Sequence, residues 1–402
     1  MQKNQALYKR ASSCMPWGTQ TNAKRLQPGL ADVMPAFIER AAGCRLWDVD
    51  GREFIDYRSA LGPIILGYCH PQVDAAVREQ MKKGVLFSMA SPIELQAAEA
   101  IMENVPWLEQ IRFMKTGADA CTSCVRLARA YTGREDILTC GYHGYHDIFA
   151  LNWPNPGVPN AIRETVHEVA FNDLEAVDRI FNDHGETLAA AIVVPDDWGV
   201  ERGGAFLKRL RQHCDKAGTL LVFDEVLTGF RLGLAGAQEY YGVTPDLAAY
   251  AKAMANGYPV SAFAGKREFM SVLEETIITT TYAGETLSLA ACCATMKIMR
   301  EEGVQQHIFA MGRRLRDGFD EILRESGLPI QAAGTAPVPY LHFCSGDKQQ
   351  DQILKDRLFS SLFERGVFPN DVWLINHAHQ NADIDQTLDM FRKSVASLVL
   401  QR

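Results

Sequence analysis

TLLVFDEVLTGFRLG occupies Thr219–Gly233. Four apolar residues, Leu220 to Phe223, read as a buried strand, and two carboxylates, Asp224 and Glu225, close it. Buried charge is costly without a partner, so at least one of these acids must meet a cation or a set of donors. In open parallel sheets, ligands gather outside the carboxyl ends of the strands. The flanking sequence supports such a sheet. LAAAIVVP upstream is a second apolar run, AFLKRLRQHCDKAG is helical, and PDLAAYAK and VSAFAGK downstream are two more short strands. Further upstream, IRFMKTG and DILTCGYHG are strands separated by the helical ADACTSCVRLARAYTG. Strands that alternate with helices predict an α/β fold with a mostly parallel sheet covered on both faces.

The rest of the chain frames this region. It has 402 residues, 47% of them hydrophobic and 22% charged, with a net charge of −8. That composition is ordinary for a globular protein and long enough for two or three domains. No Lys/Arg-dense stripe is present, which argues against nucleic acid. The N-terminal MQKNQALYKRASSCMPWG has no apolar core of a signal peptide, and no stretch is apolar enough for a membrane span. Ten scattered cysteines then read as reduced thiols of a cytoplasmic protein. Residues 1 to about 35 look polar and irregular. A hairpin follows around the turn dipeptide Asp50-Gly51. Helices open at His70-Pro71 and Ser91-Pro92, two long ones follow residue 285, and the tail after Gly327 is α+β. The expected division is 1–60, 61–310 and 311–402.

Individual features bear chemistry with different force. Lys115-Thr116-Gly117-Ala118 ends a strand and starts a helix, which suits a phosphate, although a plain strand-to-helix turn has the same pattern. Tyr142 and His143 stand between two glycines, as a stacking loop would have them, or as a simple plug. His143 and His146 lack a third ligand, so no metal is expected. Cys121-x-x-Cys124 has no second pair and reads as structural. Lys252 emerges from an apolar run; burial would lower its pKa and free its amine as a Schiff-base former, while taken alone it also fits a surface lysine.

Together these pieces resemble the class III (subgroup II) aminotransferases that use pyridoxal 5'-phosphate (PLP), in the branch of the glutamate-1-semialdehyde aminomutases. LWDVDGREFIDY, LGYCHPQV, KTGADA, the YHG motif, LLVFDEVLTGFR, GVTPDLAAYAKAMANGYPVSAFAGK, TYAGETLSLAA and AHQNADIDQTL carry the resemblance over nearly the whole chain. It implies fold type I: a seven-stranded, mostly parallel sheet in a large domain, and a smaller α+β domain from the N- and C-terminal segments. It implies that Lys252 forms the Schiff base with PLP and moves the proton, and that Asp224 pairs with the ring nitrogen. Thr116, Gly117 and Ala118 would hold the phosphate, Tyr142 would stack on the ring beside His143, and Val226 would pack on the other face. Thr281 would reach the cofactor of a second subunit, which makes the enzyme a homodimer with a shared site. Glu225 would be a structural acid.

The implied reaction is amino transfer from a donor such as L-glutamate to a carbonyl acceptor, with the cofactor alternating between PLP and its amine form, PMP. Where relatives carry Glu-Pro before the acidic strand, this chain has Val194-Pro195, which argues against GABA- or ornithine-type substrates. Leu61 replaces a tryptophan of the aminomutase branch and opens room for a different substrate. Gly284-Glu285-Thr286 replaces Gly-Asn-Pro, which adds Glu285 to the substrate candidates. The segment WGTQTNAKR offers Trp17, Gln20 and Lys24, as in relatives that act on sugar or antibiotic precursors, or forms a solvated basic loop. An intramolecular aminomutase or epimerase on the same cofactor, and a non-catalytic ligand-binding relative, are the alternatives. A nucleotide-binding Rossmann protein is disfavoured because no Gly-x-Gly-x-x-Gly follows an early strand.

Overall fold

The computed structural model describes residues 2–150, 156–196 and 203–400. They fall into two compact units. One combines residues 1–70 with 306–402, and the other is the intervening 71–305.

The first unit begins with a helix, Gln2–Cys14, where the sequence looked irregular. It buries only Asn4 and Ala11, so no apolar stripe announces it. Polar bonds hold it instead. Asp50 accepts from the backbone N–H of Lys3 (2.9 Å) and Asn4 (3.1 Å), and the Asn4 amide donates to both Asp48 and Asp50. Strands β1 (Ile38–Ala42), β2 (Arg45–Asp48) and β3 (Glu53–Asp56) form an antiparallel meander. Asp50-Gly51 makes the expected turn, with Gly51 at φ +86° and the Asp48 carboxylate accepting from two turn amides.

The second unit is built on seven strands: β4 (Gln110–Met114), β5 (Asp136–Cys140), β6 (Val166–Glu168), β7 (Leu188–Val193), β8 (Leu220–Glu225), β9 (Leu247–Tyr250) and β10 (Ser261–Gly265). Their order is β4-β10-β9-β8-β7-β5-β6. All pairings are parallel except those of β10, which runs against both β4 and β9. Strands β7, β8, β9 and β10 are buried at every residue, the mark of a sheet covered on both faces. Helix Gly117–Thr132 lays Cys121, Cys124, Val125 and Ala128 into a core with Ala190, Ile192, Val222 and Ala249. Small side chains on the strands let that helix approach closely. Because β10 reverses twice, β4, β5, β7, β8 and β9 all point their carboxyl ends to one edge.

The first unit is completed by an antiparallel pair, β11 (Ile330–Ala333) and β12 (Tyr340–Phe343), and by β13 (Val367–Phe368), which pairs with β3 in parallel. Trp373 centres its core, with ring centroids 4.9 Å from Tyr57 and 4.8 Å from Phe319. No described helix is long and apolar enough to cross a membrane. The ten cysteines are all free.

Candidate active site

The two acids of β8 face different partners. Asp224 Oδ2 lies 2.7 Å from Nδ1 of His143, and Asp224 Oδ1 accepts from the backbone N–H of Val226 at 3.0 Å. Asp224 and His143 are both buried. Beside them the Cys121 sulfur completes a cluster whose ligating atoms lie within 4.8 Å of one another. Burial, and then the charge of Asp224, pushes the Cys121 thiol far up, so it stays neutral. Glu225 turns to the loop that follows. It accepts from the Thr228 hydroxyl (2.5 Å) and from the backbone N–H of Ala237 (2.8 Å) and Gln238 (3.3 Å). Burial raises its pKa to about 7 despite those donors.

Strand pairing brings Lys252 to the same edge. Asp224 is registered with Ala249 and Glu225 with Tyr250, so Lys252 leaves β9 two residues beyond the end of β8. It opens the short helical turn Lys252–Ala255 with φ +41°, a left-handed conformation unfavourable for a side-chain-bearing residue. Burial lowers its pKa to about 8; the charge of Asp224 works against that shift and Arg231 works with it. A substantial share of the amine is therefore neutral near pH 7–8 and able to attack a carbonyl.

The edge also carries a helix start. Thr116 is the N-cap of Gly117–Thr132; its hydroxyl accepts from the Asp119 N–H at 3.1 Å while Asp119 accepts from the Thr116 N–H at 2.8 Å. Such a cap stabilises by about 1 kcal/mol. The amides of Gly117 and Ala118 precede the first intrahelical bond and point out of the helix end. A Cβ at Gly117 would stand 2.8 Å from the methyl carbons of Val226, so only glycine fits this close approach. Ser261 of β10 fixes the Thr116 carbonyl with a 2.7 Å bond. Gly144, at φ +110°, packs its Cα face on Ala118, which joins the loop carrying Tyr142 and His143 to the helix start.

The remaining candidates differ in setting. Tyr142 is 67% exposed. Thr281 is exposed in a turn ahead of helix Thr286–Glu301. Glu285 caps that helix: it accepts from the backbone N–H of Leu287 and Ser288 and pairs with Lys115 at 3.1 Å. Its two oxygens are thus taken up in structural bonds. Trp17, Gln20, Lys24 and Leu61 belong to the other unit. There Gln20 and Lys24 line a cavity of about 480 Å³, together with Asp56, Arg58 and Tyr68. Trp17 is half-exposed at φ +58° with the Arg25 guanidinium over its ring, and Leu61 (φ +73°) ends a left-handed run from Ser59. Sequence reasoning passed over Asp56, which accepts from Tyr68 Oη (2.8 Å) and the amides of Arg58 and Ser59; burial raises its pKa to about 6. It read Cys121 only as a structural cysteine and did not link Lys115 to Glu285, because the partners of each are distant in sequence.

A paired buried carboxylate, a neutral-prone lysine and a bare helix start at one sheet edge fit PLP, with its ring nitrogen, aldehyde and phosphate. Residues 27–368 match the family of class-III aminotransferases. The chain belongs to that family. This class-III aminotransferase is 32% identical to a glutamate-1-semialdehyde 2,1-aminomutase of Natranaerobius thermophilus, over 98% of both chains. It is 31% identical to a 3-aminobutyryl-CoA aminotransferase of Cloacimonas acidaminovorans, over 98% of this chain and 97% of that one. Among solved structures, the PLP-bound FumI protein of Sphingopyxis sp. MTA144 is similar with a TM-score of 0.92 at 28% identity, covering 100% of this chain and 97% of that chain. An omega-transaminase of Sphaerobacter thermophilus is similar with a TM-score of 0.91 at 28% identity, covering 98% and 97%. The fold is that of the PLP-dependent transaminases, and the cofactor of this class-III aminotransferase is PLP.

Proposed function

We propose that this PLP enzyme is an aminotransferase that carries an amino group from an amino-acid donor, L-glutamate first, to a carbonyl acceptor of the sugar or secondary-metabolite precursor class. The observation that carries the reading is the convergence of Lys252 and Asp224 at the adjoining ends of β8 and β9. PLP, when bound, supplies a ring that draws electrons away from the substrate carbon. Lys252 holds the cofactor covalently, and its Nζ takes and returns the proton of that carbon. Asp224, oriented by His143 and the Val226 amide, keeps the ring nitrogen protonated. The Gly117 and Ala118 amides and the Thr116 hydroxyl bind the phosphate; Tyr142 covers one ring face and Val226 the other.

The substrate side rests on Trp17, Gln20, Lys24 and Leu61, where a leucine leaves more room than an aromatic ring. Glu285 supports the helix that follows Thr281, which in this reading reaches the phosphate held by a second copy. The homodimer is supported by apolar exposure: Phe87, Met89, Ile277 and Tyr282 are all solvent-facing, and Thr286, in the helix that follows Thr281, bonds the carbonyls of Gly84 and Val85. Free thiols support a cytoplasmic setting.

The test is a panel of amino donors added to the PLP-loaded enzyme. Donors should bleach the visible absorbance of bound PLP, and a carbonyl acceptor should restore it. A substrate that is isomerised with no donor present, while no donor bleaches the enzyme, would replace this reading by an aminomutase. Identities of 32% and 34% to two 2,1-aminomutases keep that second reading in play.

A further inference from the structure

The sheet of the second unit carries a second polar cluster at its other edge. Asp136 is the first residue of β5, His167 the middle of β6, and His184 the last residue of helix Leu174–His184. Each offers one ligating atom, and these atoms lie within 4.8 Å of one another. His167 Nε2 is 3.7 Å from Asp136 Oδ2, and the two imidazoles stack with centroids 4.0 Å apart. His167 Nε2 is buried and has no hydrogen-bond partner among the described residues, an arrangement that polar groups ordinarily avoid. The carboxylate is steered by a neighbour. Thr187 Oγ1 lies 2.5 Å from Asp136 Oδ2, and the Thr187 N–H donates to the His184 carbonyl at 2.9 Å. The cluster remains accessible, with Asp136 and His167 side chains each near one-fifth exposed.

We propose that Asp136, His167 and His184 form a binding site for a divalent first-row transition ion, zinc foremost. Two imidazoles and one carboxylate are a donor set that zinc accepts, with a fourth position left for water. Zinc bonds of about 2.0–2.1 Å place neighbouring donors roughly 3.3 Å apart, so binding requires at least one imidazole to turn out of the present stack until both in-plane lone pairs meet the ion. The Thr187 contact on Asp136 is the kind of supporting bond that orients a ligating carboxylate. The ion would tie the start of β5 and the end of helix Leu174–His184 to β6, the outermost strand, which among the described residues has one neighbour only. The spacings of 31 and 17 residues match no metal motif, so the sequence did not point to it.

The experiment uses the full-length PLP-loaded enzyme, stripped with a chelator and dialysed against Zn²⁺. Exposed thiols are removed first with Cys14→Ser and Cys69→Ser. One Zn²⁺ per chain should bind, and Zn²⁺ should raise the melting temperature. His184→Phe keeps the ring stack but removes a ligand, and should weaken binding at least about tenfold; Asp136→Asn should do the same. Co²⁺ in the site should absorb without the charge-transfer band of a thiolate ligand. Unchanged stoichiometry and affinity in both variants, or a thiolate band, would overturn the proposal; loss of donor-dependent bleaching is a separate readout that bears only on the aminotransferase reading.

Discussion

The two edges of one sheet hold similar residues in different circumstances. At the carboxyl edge, Asp224 and His143 are buried, and Asp224 has a fixed partner for each oxygen. At the amino edge, Asp136, His167 and His184 are half-buried, and Nε2 of His167, like Nε2 of His143 at the other edge, has no hydrogen-bond partner among the described residues. The five residues of β5 span the sheet between them, roughly 13 Å from Asp136 to Cys140. An acid beside a histidine therefore says little until burial and supporting bonds are known. Burial and two fixed bonds hold the first carboxylate in one orientation, while the second cluster stays partly open to solvent.

The difference can be broken or sharpened by substitution. Lys252→Ala should lower kcat at least about 10³-fold, because both covalent attachment and proton transfer go with the amine. Retained turnover would mean that the carboxyl edge is not the reactive one. Asp224→Asn should cost on the order of 10²–10³-fold in kcat, with the shape of the protein unchanged by circular dichroism. His143→Phe should cost about 10–100-fold, mostly in kcat, if its part is the one proposed, orienting Asp224 through the 2.7 Å contact. Capture of PLP by the apo-enzyme should depend on pH in a set direction. Lys252 has its pKa lowered to about 8, so the neutral amine grows about tenfold per pH unit below 8 and levels off above it. Stopped-flow absorbance at pH 6 to 9 reads this, and a flat profile would count against a buried reactive amine. The smallest effect should come from the other edge: His184→Phe should leave kcat/KM within about twofold, as expected of distant sites.

What could be read from the chain follows the same physics. The strands LAAAIV, LLVFDE, LAAY and SAFAG were legible because both faces are buried and the runs are continuously apolar. Strand β6, Val-His-Glu, escaped notice because it is three residues long and half-exposed at the sheet margin. Helix Gln2–Cys14 escaped because Asp48 and Asp50, not an apolar face, anchor it. At the site, Asp224 and Lys252 stood out as charges at the ends of apolar runs. The bond from His143 to Asp224 crosses 81 positions and no local pattern encodes it. Glu225 was set apart from Asp224 only by the family resemblance; its bonds to Thr228, Ala237 and Gln238 emerge in the fold.

The first unit is made from both ends of the chain, and that has a consequence for synthesis. Strand β3 finds its parallel neighbour β13 only when Val367 meets Ile55. At about 5–20 residues per second, the ribosome needs roughly 15–60 s to cover that interval. During this time β3 has an open edge, while residues 71–305 can already collapse around their own seven strands. The nascent protein thus passes through a stage in which its middle is folded and its beginning waits. Chaperone dependence in vivo should be concentrated in that interval.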